Sequence, residues 1–184
     1  IFKNNIKIGY RSISEDITDK KRIEELSVTD KLTGLYNRLK LDELMLIKIE
    51  AFRRYNVDFS IILLDIDNFK SVNDTYGHDV GDYVLQTIAK TLRTHIRITD
   101  IIGRWGGEEF LIICNNTNLD NSKILAENIR KIVENIKFDK VGTKTISLGL
   151  SEFQKDDDVK SIFKRADDAL YEAKTTGKNK VCTL

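Results

Sequence analysis

Three acidic residues have the type and setting for phosphoryl chemistry. Asp65 follows Phe59-Ser60-Ile61-Ile62-Leu63-Leu64, an apolar run broken only by Ser60, and Glu108-Glu109 follow Gly106-Gly107. If the strand after the two glycines pairs beside the strand that delivers Asp65, the three carboxylates meet at one sheet edge. Unpaired there, they repel one another and their pKa values rise. Hard divalent cations relieve that repulsion, and Mg²⁺ prefers a few carboxylates completed by substrate phosphates. Two such ions can activate a hydroxyl and stabilise the charge of an in-line displacement at phosphorus. Gly106 and Gly107 also remove side chains where a phosphate or base must approach the backbone. On the hairpin alone, an ordinary turn with solvated glutamates is the commoner explanation.

The elements that must position these residues follow from periodicity. Asn37 can cap a helix that buries Leu41, Leu44, Met45, Ile49 and Phe52. Phe59 to Leu64 reads as a buried central strand. A long helix from about Val80 carries Val84, Ile88, Leu92 and Ile96 on one face. Ile101 to Trp105 and Glu108 to Ile113 flank the glycines as a tight hairpin, because glycine reaches positive φ at little cost. A further helix carries Ile124, Leu125, Ile129, Ile132 and Val133, and a strand follows at Thr145 to Leu150. The last helix faces inward with Ile162, Phe163, Ala166, Ala169, Leu170 and Ala173. Gly177 stops it, and Lys178 to Leu184 can add an edge strand. The order predicts one α+β domain over about residues 29–184, a sheet with flanking helices.

Composition narrows the class. The 184 residues are 41% hydrophobic and 32% charged, which suits a globular domain. Thirty basic against 29 acidic residues leave a net charge of +1, which argues against a nucleic-acid backbone binder. It leaves open a small phosphorylated ligand. Cys114 and Cys182 have no zinc-ligand spacing and form no disulfide framework. Cys114 reads as a small buried hydrophobe, and a reducing cytoplasm fits. The chain contains no proline, so Gly, Asn and Asp must set its helix ends.

The string Gly103-Arg104-Trp105-Gly106-Gly107-Glu108-Glu109-Phe110 resembles the signature of GGDEF-domain diguanylate cyclases in its GGEEF form. Asp30-Lys31-Leu32-Thr33-Gly34-Leu35-Tyr36-Asn37-Arg38 is similar to the family's opening D-x-L-T-G-L-x-N-R. Asp65 to Lys70 matches D-I-D-x-F-K, and Asn73 to Asp82 matches N-D-x-x-G-H-x-x-G-D. Ala166 to Lys174 resembles A-D-x-A-L-Y-x-A-K. These segments occur in the family's order over about residues 30–181.

The resemblance implies a mostly antiparallel sheet with flanking helices, related to the nucleotidyl cyclase and polymerase palm. It implies condensation of two GTP into cyclic di-GMP plus two pyrophosphates. Asp65, the Ile66 carbonyl, Glu108 and Glu109 would hold Mg²⁺ (or Mn²⁺), two ions per active site. Glu108 would be the base for the attacking 3′-hydroxyl and Glu109 its support, while Asp67 is expected to be structural. Asn73 and Asp82 would read guanine, with His78 near the nucleoside or simply packed. Asn68, Phe69, Lys70, Lys174 and Lys178 would grip the phosphates, beside Gly106 and Gly107. Lys178 stands where the family commonly has arginine; lysine keeps the charge but loses the bidentate fork. Arg97 and Asp100 fit the family's R-x-x-D product-inhibition motif, although Asn128 stands where some relatives supply a further arginine. Each domain takes one GTP, so a homodimer is implied.

Residues 1–16, with Ile6, Ile8 and Tyr10 alternating, resemble the end of a PAS-type sensor. Residues 17–28 carry a sparse stripe at Ile17, Ile23 and Leu26, which suggests a linking or signalling helix. A cytoplasmic catalytic domain is expected, with any membrane anchor in upstream segments. Two other functions fit the family: a non-catalytic receptor for GTP or cyclic di-GMP, and a cyclase making a mixed GMP–AMP dinucleotide. The unbroken GGEEF string weighs against the first and Asp82 against the second.

Overall fold

The computed structural model describes residues 28–184. Its centre is β1 (Phe59–Ile66), buried at every position. Alternation sends Ile62, Leu64 and Ile66 to one face and Phe59, Ile61 and Leu63 to the other. A strand buried on both faces must be covered twice, and the helices divide accordingly. The five-stranded sheet runs β2-β3-β1-β6-β7, formed with β2 (Ile101–Gly106), β3 (Glu109–Asn115), β6 (Ile146–Glu152) and β7 (Val181–Thr183). All neighbours are antiparallel except β6 and β7, so the mostly antiparallel sheet expected from the sequence is present.

One face is covered by α3 (His78–His95) and α4 (Leu119–Glu134), through Val84, Leu85, Ile88 and Leu92 and through Ala126, Ile129 and Val133. The other is covered by α1 (Arg38–Tyr55) and α5 (Val159–Thr175), through Leu41, Met45 and Ile49 and through Ile162, Ala166 and Leu170. The short α2 (Phe69–Tyr76) joins β1 to α3 across Gly77. Without proline, the caps are as the composition requires. Asn37 accepts from Lys40 N at 3.0 Å, Asn118 from Asn121 N at 3.0 Å, and Asp158 from Ser161 N at 2.8 Å.

The structure departs from the sequence expectations in places. The long helix begins at His78, not Val80, because Gly77 at φ 84 ends α2 and lets α3 start at once. A small hairpin of β4 (Lys137–Phe138) and β5 (Gly142–Thr143), too short to show alternation, was not anticipated. Ile124 is 61% exposed, because Ser122, Ala126, Ile129 and Val133 form the buried stripe of α4 and Ile124 falls outside it. The expected sensor remnant and all but the last residue of the linking helix lie outside the described residues.

Helix α5 lies unusually close to the sheet. Gly149 of β6 faces the helix backbone, and a Cβ there would overlap the Ala166 carbonyl and Leu170 N and stand 2.8 Å from Leu170 Cα. Backbone atoms cannot move aside as a flexible side chain can. Gly149→Ala should therefore lower stability by about 2–3 kcal/mol. That corresponds to a melting temperature lower by roughly 5–10 °C. An unchanged thermal unfolding curve would show that α5 can be displaced without loss.

Candidate active site

The apolar strand β1 ends in acidic residues. Asp65 pairs directly with Glu109 of β3, so both side chains lie on the sheet face covered by α5. Asp65 is 6% exposed, and Lys174 in the last turn of α5 meets its Oδ2 at 2.7 Å. Burial pushes the Asp65 carboxyl up to about 6, the Lys174 ammonium opposes that rise, and Glu108 and Glu109 add to it. The expected mutual repulsion is present, but loss of water is the larger cause. The expected meeting of three carboxylates is looser than supposed. Among the described residues no three His, Cys, Asp or Glu side chains form a ready metal cage. One oxygen of Asp65 is instead held by Lys174. A buried, proton-hungry carboxylate flanked by two glutamates suits a hard divalent cation that draws its remaining oxygens from the main chain and phosphates. Ile66 ends β1 with its side chain in the core, so any ligating role falls to its carbonyl.

The hairpin differs in register from the sequence expectation. Gly106 remains in β2 and pairs with Glu109, the ladder shifts between Arg104 and Gly106, and the loop is Gly107-Glu108. Gly107 takes φ 28, and Glu108 stands half-buried at the loop. Arg104 fixes this loop. Its Nε donates to the Gly107 carbonyl at 2.9 Å, and its Nη1 reaches both oxygens of Asp30 at 3.3 Å. Burial opposes ionisation of Asp30, but the Thr33 hydrogen bonds and the Arg104 guanidinium outweigh it and hold the carboxyl below its ordinary value. The leading turn also docks on β2: Arg104 N donates to Tyr36 O at 2.8 Å, and a side chain at Gly103 would overlap that carbonyl. Sequence reasoning missed this role of Arg104; its fixed place beside the two glycines was the available signal.

Asn68, at φ 56, precedes α2, whose first turn of Phe69 and Lys70 directs backbone N–H groups outward as helix N-termini do. Lys70 is exposed, and Lys178 donates to Asn68 Oδ1. Thus Lys174 and Lys178, both expected on phosphates, here rest on Asp65 and Asn68 beside that turn. Asn73 packs against Gly81: a Cβ there would overlap its Oδ1 and approach Phe69 Cζ to 3.3 Å. This places the amide one residue from the exposed Asp82. His78, first in α3, is exposed rather than packed. Asp67 is structural as expected, accepting from Thr145 Oγ1 and Ser147 Oγ at 2.7 Å.

Arg97 and Asp100 lie between α3 and β2, away from the carboxylates along the strand. Asp100 accepts from Arg97 N at 3.3 Å and Asn115 N at 3.1 Å, which staples the loop, while Arg97 is exposed. Both residues line a cleft of about 530 Å³ with Tyr36 and Arg93, and a smaller one with Asn121 and Asn128. Cys114 is buried, and burial pushes its thiol up, so it stays protonated.

Over residues 27–180 the sequence matches the family described as "Diguanylate cyclase, GGDEF domain", and the chain belongs to that family. Diguanylate cyclase DgcM of Escherichia coli K12 is 39% identical over 173 residues, which cover 92% of this chain and 42% of that protein. A diguanylate cyclase of Vibrio cholerae O395 is 39% identical over 181 residues, covering 95% and 56%. The chain thus spans about half the length of these relatives. The coiled coil and GGDEF domain of DgcB from Caulobacter crescentus, in complex with c-di-GMP, superposes with a TM-score of 0.94 at 25% identity, covering 100% of this chain and 99% of that one. The active GGEEF domain of a Vibrio cholerae diguanylate cyclase gives 0.75 at 38% identity, covering 80% and 96%.

The charge state of Asp65 has a measurable consequence. Its folded pKa of about 6 exceeds the ordinary 3.8, so between these values the folded domain binds more protons than the unfolded chain. The resulting stabilisation is complete below pH 3.8 and lost as pH rises through 6. Asp65→Asn should therefore raise the unfolding free energy at neutral pH by up to about 3 kcal/mol. The gain over wild type should shrink steadily as denaturation is repeated at lower pH. A gain that grows on acidification would contradict the burial of an ionised group.

Proposed function

We propose that this domain is a diguanylate cyclase that condenses two GTP into cyclic di-GMP and two pyrophosphates at the interface of a homodimer. The observation that carries the proposal is the register of Asp65 opposite Glu109, with Glu108 at the hairpin loop and the α2 turn at the same end of the central strands. Asn73 and Asp82 offer an amide and a carboxylate to guanine, and a wrong purine would leave one of them unsatisfied. The first turn of α2, Lys70, Lys174 and Lys178 present donors and positive charge to the triphosphate, beside the side-chain-free Gly106 and Gly107. Glu108 accepts the proton of the 3′-hydroxyl as that oxygen bonds to the α-phosphorus of the facing GTP, and the bond to pyrophosphate breaks. Mg²⁺ or Mn²⁺, two per site, held by Asp65, the Ile66 carbonyl, Glu108 and Glu109, would neutralise the charge on the triphosphate. One site holds one guanylate, so the second comes from another copy of the chain.

Upstream, we read residues 1–16 as the end of a PAS-like sensor and residues 17–28 as a linking or signalling segment. No helix of the described residues is long and apolar enough to cross a membrane. Arg97 and Asp100 form the product-inhibition site: the guanidinium suits guanine O6 and N7, and the adjacent clefts leave room for a purine.

Incubation with GTP, ATP and Mg²⁺ followed by chromatography should yield cyclic di-GMP, and a mixed dinucleotide or unchanged GTP would refute the assignment. Glu108→Gln should slow the reaction by about 10²–10⁴-fold, the usual loss of a general base. Near-normal turnover by this variant would remove Glu108 from that role. Wild-type progress curves should bend as product accumulates, and Arg97→Ala should straighten them until GTP is depleted. Calorimetry showing product bound equally by both proteins would place the inhibitory site elsewhere.

A further inference from the structure

Between α5 and β7 the chain turns through two consecutive left-handed residues, Lys178 at φ 61 and Asn179 at φ 48. Such residues persist only where their surroundings hold them. Asparagine tolerates this backbone better than most residues, but here its side chain is engaged as well. Asn179 N donates to Asp67 Oδ2 at 3.0 Å, Asn179 Oδ1 accepts from Arg130 Nη1 at 2.8 Å, and Asn179 Nδ2 donates to Glu134 Oε1 at 2.7 Å. Arg130 is itself braced between Glu127 and Glu134 on α4, at 3.0 and 3.1 Å. Lys178 N donates to Ala173 O at 2.9 Å, which closes the turn on α5. The turn is thereby tied to α4, α5 and the end of β1. Its outcome is the direction of Lys178, whose ammonium reaches Asn68, the left-handed residue ahead of α2.

We propose that Asn179 is a positioning residue for the triphosphate of GTP: anchored to Asp67, Arg130 and Glu134, it sets the turn that holds Lys178 across from the Asn68–Lys70 turn. The inference rests on the reading that this turn and Lys178 take the phosphates. Lysine makes the dependence sharper, since a single ammonium on a flexible stem has no planar fork to orient itself.

A mutant cycle on the full chain, with steady-state GTP kinetics and thermal unfolding, tests both. Lys178→Ala should raise KM for GTP about tenfold, the loss of one charge-assisted hydrogen bond. Asn179→Ala should raise KM in the same direction with a much smaller change in kcat. Asn179→Gly keeps the left-handed backbone and serves if the alanine variant folds poorly. In the double variant Lys178→Ala/Asn179→Ala, KM should match Lys178→Ala alone, because one contact is lost only once. An unchanged KM in Lys178→Ala overturns the phosphate reading. A raised KM in Lys178→Ala with an unchanged KM in both Asn179 variants overturns the role of Asn179 alone. So does a double variant whose effects multiply, since an unrelated structural defect would add to the loss of Lys178.

Discussion

Asp65 follows six residues of a strand that is buried on both faces, and its carboxylate has little water around it. Burying an ionised carboxyl is unfavourable unless a counter-charge lies close. Lys174 supplies that charge from α5, and it can do so because α5 lies against β6 at Gly149 with Ala166, Ala169 and Ala173 on its buried face. A thicker helix interface would set the ammonium further from the carboxylate. The packing of small residues and the electrostatics of the site are therefore one arrangement.

The second determinant is the hairpin loop. Gly107-Glu108 has only two residues, and a glycine in such a loop gives little rigidity of its own. Rigidity comes from Arg104, which joins the Gly107 carbonyl to Asp30 in the turn that opens the domain. Thr33 completes the shell of Asp30, and Tyr36 adds a short backbone pairing to β2. The leading turn is thus part of the support of Glu108, although about seventy residues separate them in sequence. The Arg104 guanidinium is the direct side-chain link between that turn and the loop.

A third set of contacts gathers around the turn after α5. Asp67 joins β6, through Thr145 and Ser147, to the turn after α5, through Asn179. It extends the acidic end of β1 but is saturated by donors, while Asp65 has a single lysine. Two aspartates two residues apart thereby acquire different surroundings, one tied into the frame by three donors and the other facing Lys174.

Much of this was legible in the residues themselves. The apolar run at 59–64, broken only by Ser60, read as a buried strand, the caps followed from a chain without proline, and the two glycines announced a hairpin. The ordered motif segments identified the family and named Asp65, Glu108, Glu109 and Lys174, which the fold brings to one end of its central strands. What the sequence could not specify were pairings between distant positions. Lys174 on Asp65, Arg104 between Asp30 and Gly107, and Asn179 on Asp67 leave no periodic trace, because a single polar side chain looks the same whether it is solvated or paired. The exact loop, Gly107-Glu108 rather than Gly106-Gly107, depended on a register shift in β2. The outward position of Ile124 depended on which stripe of α4 the sheet accepted. Local patterns record which groups leave water, whereas the partner each buried polar group finds is settled only when the elements pack.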